Sequence, residues 1–245
     1  MSRASFSTTV LADAEAVARA VAERIAELSR APGDEAVTIA LAGGSTPRRL
    51  YETLAAAPVY DRVDWRRLEL FFGDERAVPP DHPESNWGMA ERALLAKVPS
   101  VAHRMAAERG DAEAYERIVR ERVRKRRGSL PAFDLILLGL GDDGHTASLF
   151  PGTAALGERA RLVVMNEVPQ KNTRRMTFTY PLLNAADRVW VLVTGGEKRA
   201  IAARCLARRT PVDRAAPAGT SYPILGVEPA EGELIWWLDR AAAAR

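Results

Sequence analysis

Four short, largely apolar runs recur along the chain, at Val37 to Leu41, Leu68 to Phe72, Asp134 to Leu140 and Val189 to Thr194. Each ends in a polar, glycine-containing loop, and segments of helical periodicity lie between them. No other feature constrains the fold as much. Strands apolar at nearly every position must be covered on both faces, and amphipathic helices between them supply the cover. The expected fold is α/β: three layers, α/β/α, around a mostly parallel, twisted, Rossmann-like sheet. No linker, internal repeat or composition shift interrupts the pattern, and apart from an alanine-rich tail there is no low-complexity tract. Residues 1–245 therefore read as a single domain.

The helices have their own signals. Val17, Val21, Ile25 and Leu28 recur at helical spacing between Asp13, a natural N-cap, and the Pro32-Gly33 stop. After the run at 37–41, Ser45 or Thr46 is expected to cap a helix with Pro47 in its first position. Ser85-Asn86 opens a helix toward Lys97, and Asp111 to Arg127 reads as a charged helix. Another follows Gly195-Gly196-Glu197-Lys198 through Leu206, and Leu234 to Leu238 is a last strand. Cys205 falls in a helical apolar pattern and is expected to be buried, and Trp236-Trp237 to pack in the sheet.

Composition excludes several function classes. Net charge is only +3, with 35 basic and 32 acidic residues, too small an excess for a nucleic-acid or membrane partner. The basic run Arg120 to Arg127 is interleaved with Val119, Glu121 and Val123, which fits a solvated helix face better than a nucleic-acid footprint. One cysteine rules out an internal disulfide framework or a cysteine-based metal centre. Three histidines (His82, His103, His145) make a His-rich metal cluster improbable. There is no membrane-length apolar stretch, and the first residues lack a secretory core. A reducing, cytoplasmic compartment is the expectation.

In open α/β sheets ligands bind beyond the carboxyl ends of the strands. Loops 43–47, 73–76, 141–146 and 194–198 all leave such ends. Gly43-Gly44-Ser45-Thr46-Pro47 joins a strand to a helix start, where free amides and the helix dipole favour an anion. It has neither the Gly-Lys-Ser/Thr ending of a P-loop nor a dinucleotide fingerprint. His145 titrates near neutral pH and follows Asp142-Asp143 at a strand end. A lone loop histidine is ordinarily a cap or a surface residue. Beside paired aspartates at a strand end, it is equally a candidate general base with a carboxylate to orient it. Spacing does not choose between Asp142 and Asp143. Asp74-Glu75-Arg76 offers a second carboxylate and a guanidinium. Arg174-Arg175 and Lys198 could clamp a phosphate or carboxylate.

Several segments together resemble the 6-phosphogluconolactonase family, which shares a fold group with glucosamine-6-phosphate deaminase. The matching pieces include Leu41 to Pro47, Phe72 to Arg76, Ser85-Asn86-Trp87, Leu138 to Pro151, Arg175 to Thr179 with Pro181 to Asn184, and Thr194 to Lys198. They keep family order over residues 37–227, and 138–151 is the most specific. The resemblance implies hydrolysis of 6-phospho-D-glucono-1,5-lactone in the oxidative pentose phosphate pathway, with no metal and no organic cofactor. It implies His145 as the base that activates water, with Asp143 orienting it. Gly43, Gly44, Ser45, Thr46, Arg175 and Lys198 would hold the phosphate, and Asp74 and Arg76 would line the lactone end. One departure stands out. The family's lysine five residues before the arginine matched here by Arg175 is Gln170, and Lys171 lies one place along.

Two rivals share the fold group. An amino-sugar phosphate isomerase/deaminase would resemble this pattern with a glutamate five residues after the histidine, where this chain has Phe150. A non-catalytic sugar-phosphate sensor would carry a DNA-binding segment, for which a first α/β unit starting near residue 13 leaves no room. The expected partner is a phosphorylated sugar lactone, and the expected state a monomer.

Overall fold

The computed structural model describes residues 5–209 and 222–243. Strand β1 (Ser5–Leu11) leads into α1 (Ala14–Ser29), β2 (Val37–Leu41) and α2 (Ser45–Leu54). Strands β3 (Leu68–Phe72) and β4 (Asp74–Arg76), separated only by Gly73, precede α3 (Asn86–Ala93), β5 (Val101–Ala102) and α4 (Ala112–Arg122). A short hairpin of β6 (Arg126–Arg127) and β7 (Leu130–Pro131) runs into β8 (Leu135–Gly139). Then come β9 (Val163–Val168), β10 (Thr173–Phe178), α5 (Tyr180–Leu183), β11 (Arg188–Val193), α6 (Arg199–Arg209), β12 (Glu233–Asp239) and α7 (Arg240–Ala243).

Seven strands form one sheet in the order β1-β12-β11-β8-β2-β3-β5. Every pairing in it is parallel. All residues of β2 and β3 are buried, as strands covered on both faces must be. This is the expected three-layer α/β/α architecture. From β2 the chain builds outward through β3 to β5. It then returns beside β2 with β8 and builds the other way through β11 and β12. The order reverses between β2 and β8, which makes their carboxyl ends the sheet's topological switch point.

Several elements differ from the sequence expectations. The edge strand β1 precedes the first predicted unit, and its polar, mostly exposed alternation hides it from a search for apolar runs. Helix α2 starts at Ser45, with Gly44 rather than a side chain in the cap position and Pro47 third. At Gly44 φ is +104°, a conformation that glycine adopts at no steric cost, so the turn closes one residue early. Helix α4 ends at Arg122 rather than Arg127, because Gly128 (φ +61°) turns the chain back into the β6–β7 hairpin. The basic run is thereby dispersed into ion pairs. Arg120 pairs with Glu116, Arg122 with Glu69, Lys125 with Asp134 and Asp187, and Arg127 with Asp187.

A second sheet, β4-β10-β9, is antiparallel and was legible in the sequence only as loop and motif. It sets Arg175 directly opposite Arg76. Asp13 caps α1 and Ser85 caps α3 as expected. Cys205 is buried, and burial pushes its thiol up to about 12. Trp236 and Trp237 are buried in β12. No described helix is long and apolar enough to cross a membrane.

Candidate active site

The four loops named from the sequence follow β2, β3, β8 and β11, four consecutive strands of the sheet. They therefore converge at one edge, around the switch point. A cavity of about 200 Å³ lies there, lined by Gly43, Gly44, Asp74, Arg76, Asn86, Gly141, His145, Arg175 and Lys198 among others.

The β8 loop is wound tightly around its histidine. Gly141 N–H donates to the His145 carbonyl at 2.8 Å, and Gly144 N–H to the Gly141 carbonyl at 2.9 Å. This brings the imidazole back over Gly141, where a β-carbon would stand 1.9 Å from Nδ1. The ring stacks on Phe150, with centroids 4.0 Å apart. Asp143 Oδ1 accepts both the His145 backbone N–H at 3.0 Å and the ring Nδ1 at 2.6 Å. With Nδ1 bonded to the carboxylate, the neutral ring carries its lone pair on Nε2. Burial lowers the affinity of His145 for a proton more than Asp143 restores it, so its pKa lies below the ordinary value. Burial works against ionisation of Asp143, but the two bonds from His145 outweigh it and hold that carboxyl low. Asp142 turns the other way, and its Oδ1 accepts from Lys198 Nζ at 2.6 Å.

The second carboxylate is set by packing. Asp74 begins β4 and is buried. Its Oδ2 accepts the Ser148 hydroxyl at 2.7 Å, and its backbone carbonyl accepts Asn86 Nδ2 at 2.9 Å. Glu75 anchors the helix that carries Asn86. Its Oε1 accepts the N–H groups of Arg76 and Asn86, and its Oε2 accepts the Trp87 N–H and the Ser85 hydroxyl. Burial nevertheless pushes the Glu75 carboxyl above its usual range.

Cations form the remaining wall. Arg175 lies over the Phe150 ring, 5.2 Å from its centroid, and burial lowers its pKa. Arg76 donates to the Glu84 carbonyl. The Nε groups of both arginines are buried and have no hydrogen-bond partner. Like charges set opposite each other across a strand pair repel, so this arrangement favours an anionic ligand.

The structure thus gathers Gly43, Gly44, Asp74, Arg76, His145, Arg175 and Lys198 around one cavity, with Asp143 behind the histidine. It does not bring Ser45, Thr46 or Lys171 to that lining. Ser45 is exposed, while Thr46 Oγ1 shares a hydrogen bond with Thr194 Oγ1 at 2.7 Å. Lys171 lies exposed in a turn after β9, and Gln170 Nε2 donates to the Pro151 carbonyl at 3.4 Å. Neither lines the cavity. Asn86, Ser148 and Phe150 border the candidate site but were not among its expected residues. Asn86 was read as a helix start, Phe150 as the position of a missing glutamate, and Ser148 only as part of a matching segment. Among the described residues, no group of three or more His, Cys, Asp and Glu is placed to hold a metal ion.

A larger hollow of about 700 Å³ lies at the opposite, amino-terminal ends of the strands. Of the charges lining it, Lys125 pairs with Asp134 and Asp187, and Arg122 with Glu69. No histidine lines it.

A parallel α/β sheet with a His–Asp pair and a cationic wall at its switch point suits an enzyme that acts on an anionic substrate. The chain belongs to the family described as glucosamine-6-phosphate isomerases/6-phosphogluconolactonase, whose model matches residues 12–236. It is 41% identical over 214 residues to the 6-phosphogluconolactonase of Nostoc sp., covering 84% of this chain and 83% of that one. The structure of 6-phosphogluconolactonase from Trypanosoma brucei superposes with a TM-score of 0.81 at 31% identity, over 98% of each chain. A monomeric glucosamine-6-phosphate deaminase shares the fold, with a TM-score of 0.75 at 19% identity over 97% of this chain and 99% of that one.

Proposed function

We propose that the chain hydrolyses 6-phospho-D-glucono-1,5-lactone to 6-phosphogluconate, the ring-opening step of the oxidative pentose phosphate pathway. One observation carries the reading. The His145–Asp143 pair leaves Nε2 basic beside a cavity whose other walls hold Gly43-Gly44, Arg175 and Lys198.

The phosphate is held by Lys198, Arg175 and the Gly43-Gly44 turn that leads into α2, where no side chain caps the helix. That anchorage positions the lactone carbonyl at the other end of the site. Nε2 of His145 takes a proton from water as the oxygen attacks the carbonyl carbon. Asp143 stabilises the imidazolium that forms. Charge growing on the carbonyl oxygen meets a donor already in place, the Nε of Arg76. The bond to the ring oxygen then breaks, and the imidazolium returns the proton to that oxygen. Asp74, fixed by Ser148, lines the lactone end.

Phe150 argues against the amino-sugar deaminase reading. The place where that chemistry needs an acid holds an apolar ring stacked on the imidazole. We read residues 1–245 as one lactonase domain, since a single core cluster includes residues of both the seven-stranded and the three-stranded sheets. We further read it as a monomer of a reducing, cytoplasmic compartment, in keeping with its lone buried cysteine.

The test is hydrolysis of fresh 6-phosphogluconolactone above its spontaneous rate, with wild type, His145→Ala and the unphosphorylated lactone in parallel. Acceleration by wild type alone, and only of the phosphorylated lactone, is the expected result. Equal acceleration by both proteins would remove His145 from the mechanism. Acceleration by neither would discard the lactonase reading.

A further inference from the structure

The adjacent aspartates of the β8 loop have different tasks. Asp143 holds the base, whereas Asp142 sits on Lys198 at 2.6 Å. The two partners are unequally placed. The Lys198 side chain is 25% exposed and lines the cavity, while that of Asp142 is 84% exposed. The cation assigned to the phosphate is therefore already neutralised by an anion of the chain itself. The Lys198 ammonium holds the Asp142 carboxyl below its ordinary range, so the carboxylate is ionised throughout the neutral region.

We propose that Asp142 sets the affinity of the phosphate subsite, acting as a built-in competitor that occupies Lys198 until a phosphate displaces it. The inference rests on Lys198 being a phosphate ligand. An ion pair this exposed is weak, because water screens it and Asp142 gives up few other contacts when it leaves. A phosphate dianion brings more charge and three strong acceptor oxygens, and it also meets the Gly43-Gly44 turn that leads into α2. It wins the exchange, whereas a weak monoanion does not. While the pair is closed the subsite is incompetent, and apparent affinity is the intrinsic affinity multiplied by the fraction of time it is open. After displacement the carboxylate still lies near the phosphate and repels it. Both effects weaken the binding of every anion that needs Lys198, and both ease release of the phosphorylated product.

The experiment is calorimetric titration of inorganic phosphate into the wild-type protein, Asp142→Asn and Asp142→Glu at low ionic strength. Asp142→Asn is expected to bind phosphate about three- to tenfold more tightly than wild type, the scale of one exposed charge pair plus one repulsion. Asp142→Glu keeps the carboxylate and is expected to stay near wild type. The advantage of Asp142→Asn should shrink in about 0.5 M salt, where the screening length is a few ångströms. With the phosphorylated lactone, its KM should fall by a similar factor. Weaker binding by Asp142→Asn would overturn the proposal, since it would show that the pair positions Lys198 rather than competes for it. Equal binding by both proteins would overturn it while leaving the phosphate subsite standing. Binding by neither would remove the subsite and the proposal together.

Discussion

At the scale of the residue, the site turns on one nitrogen. The sequence places His145 beside two aspartates but does not choose between them, because the choice depends on a turn. Gly144 adopts φ +78°, the loop folds back, and the residue two before the histidine meets its ring. This geometry predicts a pH dependence. Burial dominates the shift at His145 and lowers its pKa below the ordinary 6.5. In the proposed mechanism the base form is the active one, so activity lost on acidification should fall away only below about 6.5. In Asp143→Asn the carboxylate that raises the pKa is gone while the burial remains. The acid limb of kcat/KM should then move to still lower pH, and the plateau should drop by about 10²- to 10⁴-fold as the ring loses its orientation and its counter-charge. Profiles of both proteins from pH 4.5 to 8, corrected for spontaneous hydrolysis, measure this. An acid limb displaced upward in Asp143→Asn would contradict the account of the shift.

At the scale of the element, loops carry the chemistry and neighbouring strands fix the loops. Sequence reading found the strands because β2, β3, β8 and β11 are apolar runs of the right length. The β4-β10-β9 sheet escaped it. Its three-residue strand Asp-Glu-Arg is polar, and its partners Thr173–Phe178 lie far along the chain. Short polar strands owe their existence to such pairing rather than to local preference. Helix α2 was legible but its cap was not, since Gly44 rather than Ser45 or Thr46 closes that turn.

Two glycines of the β8 region separate a structural from a chemical requirement. A β-carbon at Gly141 would stand 1.9 Å from the His145 ring, whereas one at Gly139 would meet nothing within 4 Å. Gly141→Ala should displace the imidazole, lower kcat by about 10²-fold or more, and cost about 1–3 kcal/mol of stability through the forced rearrangement. Gly139→Ala should keep both within error. Steady-state kinetics and urea unfolding of the two variants make the comparison. Wild-type turnover in Gly141→Ala would show that the ring need not lie where it does.

At the scale of the whole molecule, the sheet divides into two ends with different work. Adjacency was the part the sequence could not supply. Chain order runs β2, β3, β8, β11, while the sheet places β8 between β11 and β2. Only that crossover turns four separate loops into one cavity at the switch point. The opposite end holds partly exposed charge pairs that stabilise the fold without touching the site. Asp134 Oδ2 accepts both the N–H and the hydroxyl of Thr38, and Lys125 Nζ reaches Asp134 and Asp187 together. Burial works against the Lys125 charge, but the two carboxylates outweigh it and raise its pKa in the folded chain. A lysine raised on folding contributes stability that is complete below its unfolded pKa of about 10.5. That contribution is lost as pH rises through the higher folded value. Lys125→Met should therefore lower stability at pH 7. The ammonium is partly exposed and screened, which limits the loss to about 1 kcal/mol, more if the carboxylates cannot regain water. The deficit relative to wild type should narrow only in strong alkali. Because the pair lies at the amino ends of the strands, kcat and KM should stay at wild-type values. Urea unfolding at pH 7 and about pH 11, with kinetics on the same samples, reads both halves of the argument. A changed kcat with unchanged stability would mean that the two ends are coupled through the sheet.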